Sequence, residues 1–193
     1  MANKVMMMLT NALNVVVSME SVTKKEAYCK LLDWCAVKIG IEGVYSSMKL
    51  ETSNILLDAV DFNLLRSTTD DWFGKLYESV FKVKLSTIEE RSAELDKYTL
   101  NKTEGFPQSI LSKTVQTGRI LLSICNKFDK SFLLYGIEKD VLEYHIALVN
   151  IKLYDIPAFI MNIECSDNVD LSTSSENWNM SNLWNAPRAM LLK

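Results

Sequence analysis

The sequence predicts an α/β protein in which an N-terminal helical region precedes a small parallel sheet with flanking helices. Apolar residues recur at helical spacing through most of the N-terminal half. Residues 101–109 then carry Gly105 and Pro107 without apolar periodicity, as a connecting loop does. Beyond this loop, short apolar runs alternate with helical patterns, which is typical of a parallel sheet covered by helices. We therefore expect a helical region over residues 1–104 and an α/β region over residues 105–193.

The composition is that of an ordinary globular protein. The chain has 193 residues, of which 48% are hydrophobic and 23% are charged. Its 21 basic and 24 acidic side chains leave a net charge of −3. This balance excludes long disordered segments and argues against strong independent binding to nucleic acid or to an anionic membrane. If the protein meets DNA, we expect a partner to mediate the contact.

The N-terminal region opens with two predicted helices. Residues 1–19 have an amphipathic pattern, and polar residues interrupt an apolar run that falls short of the roughly 20 residues needed to span a bilayer. The charge order of a signal peptide is also missing, so no membrane contact is expected. The second helix begins behind Thr23, which forms a predicted capping box with Glu26.

Three further helices are predicted before the connecting loop. Residues 53–65 and residues 70–83 each place apolar side chains along one face, and the second of these stripes is rich in aromatic residues. Such stripes are core in most proteins. A second capping box, Ser86 with Glu89, predicts a more polar helix that runs to about Tyr98.

The C-terminal region alternates between strands and helices. Strands are predicted over residues 109–115, 132–138 and 158–165, because these runs are short and apolar. Helices are predicted between them, over residues 119–128 and 141–154. Strand–helix–strand alternation with short connections predicts that the strands are parallel.

The cysteines and the histidine predict neither a zinc site nor a disulfide framework. No two cysteines form a CxxC pair, and His145 is the one histidine of the chain. We interpret all four cysteines as reduced core thiols of an intracellular protein, and we expect a cytoplasmic location and no metal. The four are Cys29, Cys35, Cys125 and Cys165.

A candidate ligand site is predicted at the carboxyl ends of the strands, where doubly wound sheets bind their ligands. The loop before the second helix of the α/β region ends in Thr117 and Gly118, and a glycine there allows a ligand to approach the backbone closely. Glu138 ends the second strand at the spacing of an acid that grips a ribose diol. Asp167 follows the third strand and is placed to accept from the amino group of a purine. Alternatively, both acids are solvated loop residues.

These stretches also resemble a known family. Residues 109–167 resemble the cofactor-binding half of class I S-adenosylmethionine-dependent methyltransferases, and they are most similar to adenine-specific DNA methylases of restriction–modification systems. Residues 112–119 (SKTVQTGR) correspond to a D-P-x-x-G-x-G-R loop, and residues 135–140 (YGIEKD) to G-I-(D/E)-x-D. Residues 147–150 (ALVN) correspond to A-L-x-N, and residues 71–78 (DWFGKLYE) are similar to D-x-L-G-x-x-Y-E.

The resemblance implies a Rossmann-like, methyltransferase-type sheet that binds S-adenosylmethionine through Thr117, Gly118, Glu138 and Asp167. The sequence departs from the family in the loop, where Ser112 replaces the acid, Lys113 the proline and Gln116 the first glycine. The catalytic N-P-P-Y or D-P-P-Y tetrapeptide is also absent, and residues 185–187 (NAP) are the nearest match. No catalytic residue is therefore predicted.

Three functions remain open from the sequence. We favour a methyltransferase-like protein that lacks the catalytic motif and acts as a structural or partner-binding module. The alternative is an active S-adenosylmethionine-dependent DNA adenine methyltransferase, whose activity would require a partner subunit or an unusual site around Trp178, Trp184 and Asn185. The third is an unrelated α/β or helical protein in which the match is a coincidence. A protein partner or a second copy of the chain is expected for the module.

Overall fold

The computed structural model describes residues 2–95, 109–112, 114–128, 133–162 and 190–192. Every structural statement below concerns these residues. Within them the chain is a mixed α/β protein, mostly helical, with a small parallel sheet. The described helices are α1 (Ala2–Glu20), α2 (Lys24–Lys38), α3 (Leu50–Ala59), α4 (Phe62–Arg66), α5 (Trp72–Phe81), α6 (Ile88–Leu95), α7 (Arg119–Phe128) and α8 (Val141–Leu153).

The described strands form one sheet in the order β3-β2-β1-β4. All three strand pairs are parallel. In the register of the sheet, Tyr135 of β2 lies between Leu111 of β1 and Phe159 of β3. The alternation β1–α7–β2–α8–β3 confirms the predicted order of strands and helices. A further strand, which the sequence patterns did not indicate, pairs with the other side of β1. The strands are β1 (Ser109–Ser112), β2 (Leu133–Glu138), β3 (Ala158–Asn162) and β4 (Met190–Leu192).

The predicted start of α2 is confirmed in atomic detail. The hydroxyl of Thr23 accepts a hydrogen bond from the backbone N–H of Glu26 at 3.3 Å, and the Glu26 carboxylate accepts from the N–H of Thr23 at 2.9 Å. Each side chain therefore satisfies a donor that the first turn of a helix leaves free. This motif is local, so the sequence is enough to predict it.

Two helix boundaries differ from the prediction. The single helix expected over residues 53–65 is divided in two, because the Asp61 carboxylate accepts from the N–H groups of Asn63 and Leu64 and starts α4. The second capping box lies one residue later than expected. It joins Thr87 to Glu90, with N–H to side-chain oxygen distances of 2.7 and 3.0 Å. The predicted end near Tyr98 lies outside the described residues.

One hydrophobic cluster runs through both regions of the chain. Helices α2 and α5 pack against α8, which in turn lies against β2 and β3. Helix α8 thus separates the N-terminal helices from the sheet. The predicted boundary between residues 104 and 105 falls outside the described residues and stays a prediction. Within the described part of the chain, no individual helix is long and apolar enough to cross a membrane, whereas α1 and α2 reach that length only as a pair bent by 110°.

Candidate functional site at the carboxyl ends of the strands

The loop of residues 114–118 lies between β1 and α7, at the carboxyl end of β1. Gly118 has φ +92°, and a Cβ at this position would lie 3.4 Å from Cα of Ala147 on α8. Both the left-handed backbone and the close approach of the loop to α8 therefore favour glycine. Gln116 has φ +49° and adopts a left-handed conformation despite its side chain.

Glu138 ends β2 beside this loop, and its side chain is 4% exposed. One carboxylate oxygen, Oε2, accepts from the backbone N–H of Gln116 at 2.6 Å. The other, Oε1, accepts from the backbone N–H groups of Lys139 at 2.8 Å and Asp140 at 3.1 Å. The predicted loop and the predicted acid therefore lie together, and the loop backbone itself binds the acid.

Thr117 is completely buried and faces the N-terminal helices. Its hydroxyl donates to Oδ2 of Asp71 at 2.5 Å, across 46 positions of sequence. Its backbone carbonyl accepts from Nδ2 of Asn150 at 2.7 Å. The hydroxyl and the carbonyl of this residue are thus both engaged within the protein.

Arg119, the first residue of α7, forms a buried ion pair with the same aspartate. Its Nε donates to Oδ2 of Asp71 at 2.6 Å, and its Nη2 donates to Oε2 of Glu78 at 2.7 Å. Its Nη1 donates to the carbonyl of Ser86 at 2.9 Å. Burial is the largest influence on the pKa of Glu78 and tends to raise it, but the hydrogen bonds from Arg119 and from the N–H of Leu85, together with the positive charges of Arg119 and Lys75, leave that pKa below its usual range.

Asp71 is the centre of this cluster and is itself completely buried. Its Oδ1 accepts from the N–H of Gly74 at 2.8 Å, as the N-cap of α5, and from Nδ2 of Asn150 at 2.7 Å. A Cβ on Gly74 would lie 1.8 Å from Oδ2 of Asp71, so glycine is required for the carboxylate to fold back over the helix. The sequence places Asp71 in the stretch that resembles the family but indicates no partner for it; the one signal for its role as an N-cap is an acid three residues before a glycine.

A second group of acids surrounds the start of α8. Asp140 caps this helix by accepting from the N–H groups of Leu142 and Glu143. Burial, and then the nearby carboxylates of Glu138 and Asp140, raise the pKa of Glu143 to about 7. Among the described residues, no group of His, Cys, Asp and Glu side chains is arranged to hold a metal ion.

Asp167, the fourth predicted cofactor-binding residue, lies outside the described residues, so its predicted approach to Glu138 stays a prediction. A cleft of about 430 Å³ lies elsewhere, among the ends of α4, α7 and α8. Leu153 and Cys125 are among the residues that line it. Helices α7 and α8 begin at the carboxyl ends of the strands and run back toward the amino ends. The cleft at their C-terminal ends therefore lies at the amino ends of the strands, opposite to Glu138.

The geometry around Glu138 tests whether a ribose fits there. An ionised carboxylate offers about four lone-pair sites. Three backbone N–H groups already use them at 2.6, 2.8 and 3.1 Å. A ribose diol donates two hydrogen bonds, and roughly one site remains. The residues as they are arranged therefore do not fit the diol grip that the family resemblance implies.

Comparisons with known proteins support the fold. No family model and no curated protein matches this sequence. A crystal structure from Listeria monocytogenes at 2.20 Å resolution, which carries the provisional description of a class I S-adenosylmethionine-dependent methyltransferase, is similar with a TM-score of 0.57 and 12% identity. The match covers 83% of this chain and 52% of that protein, so the chain spans about half its length. At this identity the likeness shows a methyltransferase-like fold.

Proposed function

We propose that this chain is a methyltransferase-like protein, related to adenine-specific DNA methylases, that acts as a non-catalytic structural or partner-binding module. The motifs in the sequence support the relationship to adenine-specific DNA methylases, and the fold likeness to a protein described as a methyltransferase supports the coarser, methyltransferase-like part of the proposal. The proposed loss of catalysis rests on the contacts of Glu138 and Gln116 in the candidate donor site.

The three hydrogen bonds that the Glu138 carboxylate already accepts carry this proposal. In the family that the sequence resembles, the acid that ends the second strand binds the ribose of the methyl donor. Here Oε2 of that acid accepts from Gln116 and Oε1 from two further N–H groups, and the side chain is almost completely buried. A buried carboxylate with three donors contributes to the fold, because those donors need an acceptor once water is excluded.

Gln116 supports the same conclusion. The residue stands where the resembled loop carries its first glycine, and the backbone keeps a glycine-like left-handed conformation. Its Oε1 is buried and has no hydrogen-bond partner among the described residues. A larger side chain is thus accommodated with strain beside the acid, which is the opposite of what close approach of a cofactor requires.

Calorimetry with S-adenosylmethionine tests the proposal. We expect no saturable heat up to millimolar ligand with the full chain. The variant Glu138→Ala is a companion measurement, with Glu143→Gln as the matched control at a neighbouring acid. Saturable binding that Glu138→Ala abolishes and Glu143→Gln retains would contradict the proposal and establish a donor pocket.

An active S-adenosylmethionine-dependent enzyme is the second candidate, and one observation favours it. The loop and Glu138 do come together at the carboxyl ends of the strands, where such a donor pocket is built. Rotation of the Gln116 peptide would free Oε2 for a ligand. Transfer of a labelled methyl group to adenine-containing DNA, with and without added cell extract as a source of a partner subunit, distinguishes this candidate from the module.

A partner-binding role also predicts an assembly. We propose that the module associates with a protein partner or with a second copy of itself, and that any contact with DNA is made through that partner because the net charge is −3. Sedimentation equilibrium of the purified chain tests the second copy. A strict monomer across micromolar concentrations would exclude it and leave a different protein as the partner.

A further inference from the structure

We infer that Asp71 is a positioning residue through which the N-terminal helices hold the loop of residues 114–118. The inference goes beyond the proposed function, because it concerns how the loop is held and applies whether or not the loop binds a donor. It assigns Asp71, Arg119 and Asn150 a common task that neither the motifs nor the fold comparison states.

Four donors converge on the Asp71 carboxylate. Oδ1 accepts from the N–H of Gly74 and from Nδ2 of Asn150, and Oδ2 accepts from Oγ1 of Thr117 and from Nε of Arg119. These donors belong to α5, α8, the loop and α7 in turn. All four distances lie between 2.5 and 2.8 Å, so the lone-pair capacity of the carboxylate is fully used.

Thr117 is held by a closed ring of hydrogen bonds. Its hydroxyl donates to Asp71, its carbonyl accepts from Asn150, and Asn150 donates to Asp71 with the same Nδ2. A residue that is bound at both its side chain and its carbonyl cannot rotate its peptide without breaking the ring. The ring therefore restricts the backbone between Gln116 and Gly118.

Charge makes the arrangement specific. Arg119 lies between the carboxylates of Asp71 and Glu78, is 3% exposed, and donates to both. The backbone N–H of Leu85 also donates to Oε1 of Glu78 at 2.7 Å, and this hydrogen bond holds the Glu78 carboxylate in place. Because a buried charge that loses its partner is strongly disfavoured, the network favours one position of α7, and hence of the loop that precedes it.

The motifs of the sequence resemblance meet in this network. Asp71 and Glu78 come from the stretch that precedes the sheet, Arg119 closes the loop, and Asn150 ends the A-L-x-N piece. The positions lie up to 79 residues apart in sequence, and the structure places them in direct contact. These separate motifs therefore have one physical task in common, which is to hold the loop against the N-terminal helices.

Amide hydrogen exchange tests the inference with the full chain. The N–H groups of Val115 and Gln116 are reporters for the loop, since both are hydrogen bonded at 3.1 and 2.6 Å to β2. The N–H of Leu134, bonded to the carbonyl of Pro157 at the far end of the sheet, is the reference. In Thr117→Val, which replaces the hydroxyl with a methyl group of similar size, we expect loop exchange to rise at least tenfold relative to the reference.

Two variants complete the test. Gly74→Ala keeps every charge but pushes the Asp71 carboxylate away, and we expect the same selective rise. Tyr28→Phe is the matched control, because it removes a buried hydrogen bond of 3.0 Å to the carbonyl of Phe73 on α5, the helix that carries Gly74, and leaves the four donors to Asp71 in place. The inference is overturned if Thr117→Val and Gly74→Ala leave the ratio of loop to reference exchange at its wild-type value, or change it only as Tyr28→Phe does.

Discussion

The loop of residues 114–118 is held on two sides by buried carboxylates, and the two carboxylates bind different kinds of donor. On the sheet side, Glu138 binds backbone N–H groups of Gln116, Lys139 and Asp140. On the helical side, Asp71 binds the side chains of three residues and one N–H group. The Glu138 side depends on the course of the backbone, whereas the Asp71 side depends on particular side chains.

The two sides are therefore expected to tolerate different substitutions. Backbone donors persist through most substitutions, so the environment of Glu138 changes chiefly when Glu138 itself or the local backbone conformation is altered. Side-chain donors are lost one at a time, and each loss leaves a buried group without its partner. The helical side is therefore expected to be the more sensitive to single substitutions.

The largest effect is expected at Arg119. The change Arg119→Met leaves the buried Asp71 and the partly buried Glu78 without their cation, and we expect the free energy of unfolding to fall by about 3–5 kcal/mol. Urea denaturation measures it. The control is Lys75→Met, which removes an ion pair to Asp70 in which Lys75 is 42% exposed; here we expect less than about 1 kcal/mol. If both variants lose the same free energy of unfolding, the buried Arg119–Asp71 ion pair contributes no more to stability than an exposed one, which contradicts the prediction.

An intermediate effect with an unusual sign is expected at Gly74. Glycine to alanine inside a helix ordinarily stabilises a protein by about 0.5–1 kcal/mol. Here the added Cβ would lie 1.8 Å from the Asp71 carboxylate, so we expect Gly74→Ala to destabilise by about 1–3 kcal/mol. In an Asp71→Ala background the clash is gone, and the same change should become neutral or stabilising. A double-mutant cycle by urea unfolding measures the coupling, and additive effects would disprove it.

A stabilising change is expected on the sheet side. Gln116→Gly removes left-handed strain of about 1–2 kcal/mol and a buried amide oxygen without a partner, worth about 1–3 kcal/mol. The greater freedom of glycine in the unfolded chain offsets about 0.5–1 kcal/mol. We expect a net gain of about 1 kcal/mol or more in the free energy of unfolding. Gln116→Ala separates the two contributions, because it keeps the strain and removes only the amide; a loss of stability in both variants would be the contrary result.

The smallest effect concerns pH, and it arises at the acids beside Glu138. The pKa of Glu143 is raised to about 7 from an unfolded value near 4.5, first by burial and then by the carboxylates of Glu138 and Asp140. Because the pKa of Glu143 is higher in the folded state, the folded protein holds this proton more tightly than the unfolded chain. The contribution of Glu143 to the free energy of unfolding is therefore fully present below about pH 4.5 and is lost as the pH rises through about 7.

We expect the loss to be about 1 kcal/mol, since the side chain is partly exposed and solvent screens it. The measurement is the free energy of unfolding of the wild type and of Glu143→Gln at about pH 5 and pH 8. The wild type should lose more stability over this range than the variant, and the difference is the contribution of Glu143. The exposed Glu51→Gln serves as the control. Identical slopes in all three proteins would show that Glu143 does not contribute.

The accuracy of the sequence prediction follows the range of the interaction concerned. The capping box at Thr23 and the order of strands and helices from β1 to β3 depend on neighbouring residues, and both are confirmed. The division of the predicted helix at Asp61 was missed, because a helical apolar pattern continues across an N-cap that is equally local. In that segment two local signals compete, and the pattern alone does not decide between them.

The candidate site was predictable in part. Glu138 and the loop were singled out because acids and glycines at strand ends have a known meaning in parallel sheets, and they do lie together. The direction in which Thr117 faces was not predictable, since its partner Asp71 is 46 residues away. Sequence spacing carries no information about which of several polar groups a buried hydroxyl will meet.

Periodicity and turn chemistry act over a few residues, so the alternation of helices and strands, the parallel sheet and the positions of the acid and the glycines could be predicted from the sequence. The three backbone N–H groups that bind Glu138, and the contacts of Asp71 with Thr117, Arg119 and Asn150, are known only from the structure. Those contacts depend on how α5, α7 and α8 pack together, and packing is decided by the whole core rather than by any one segment.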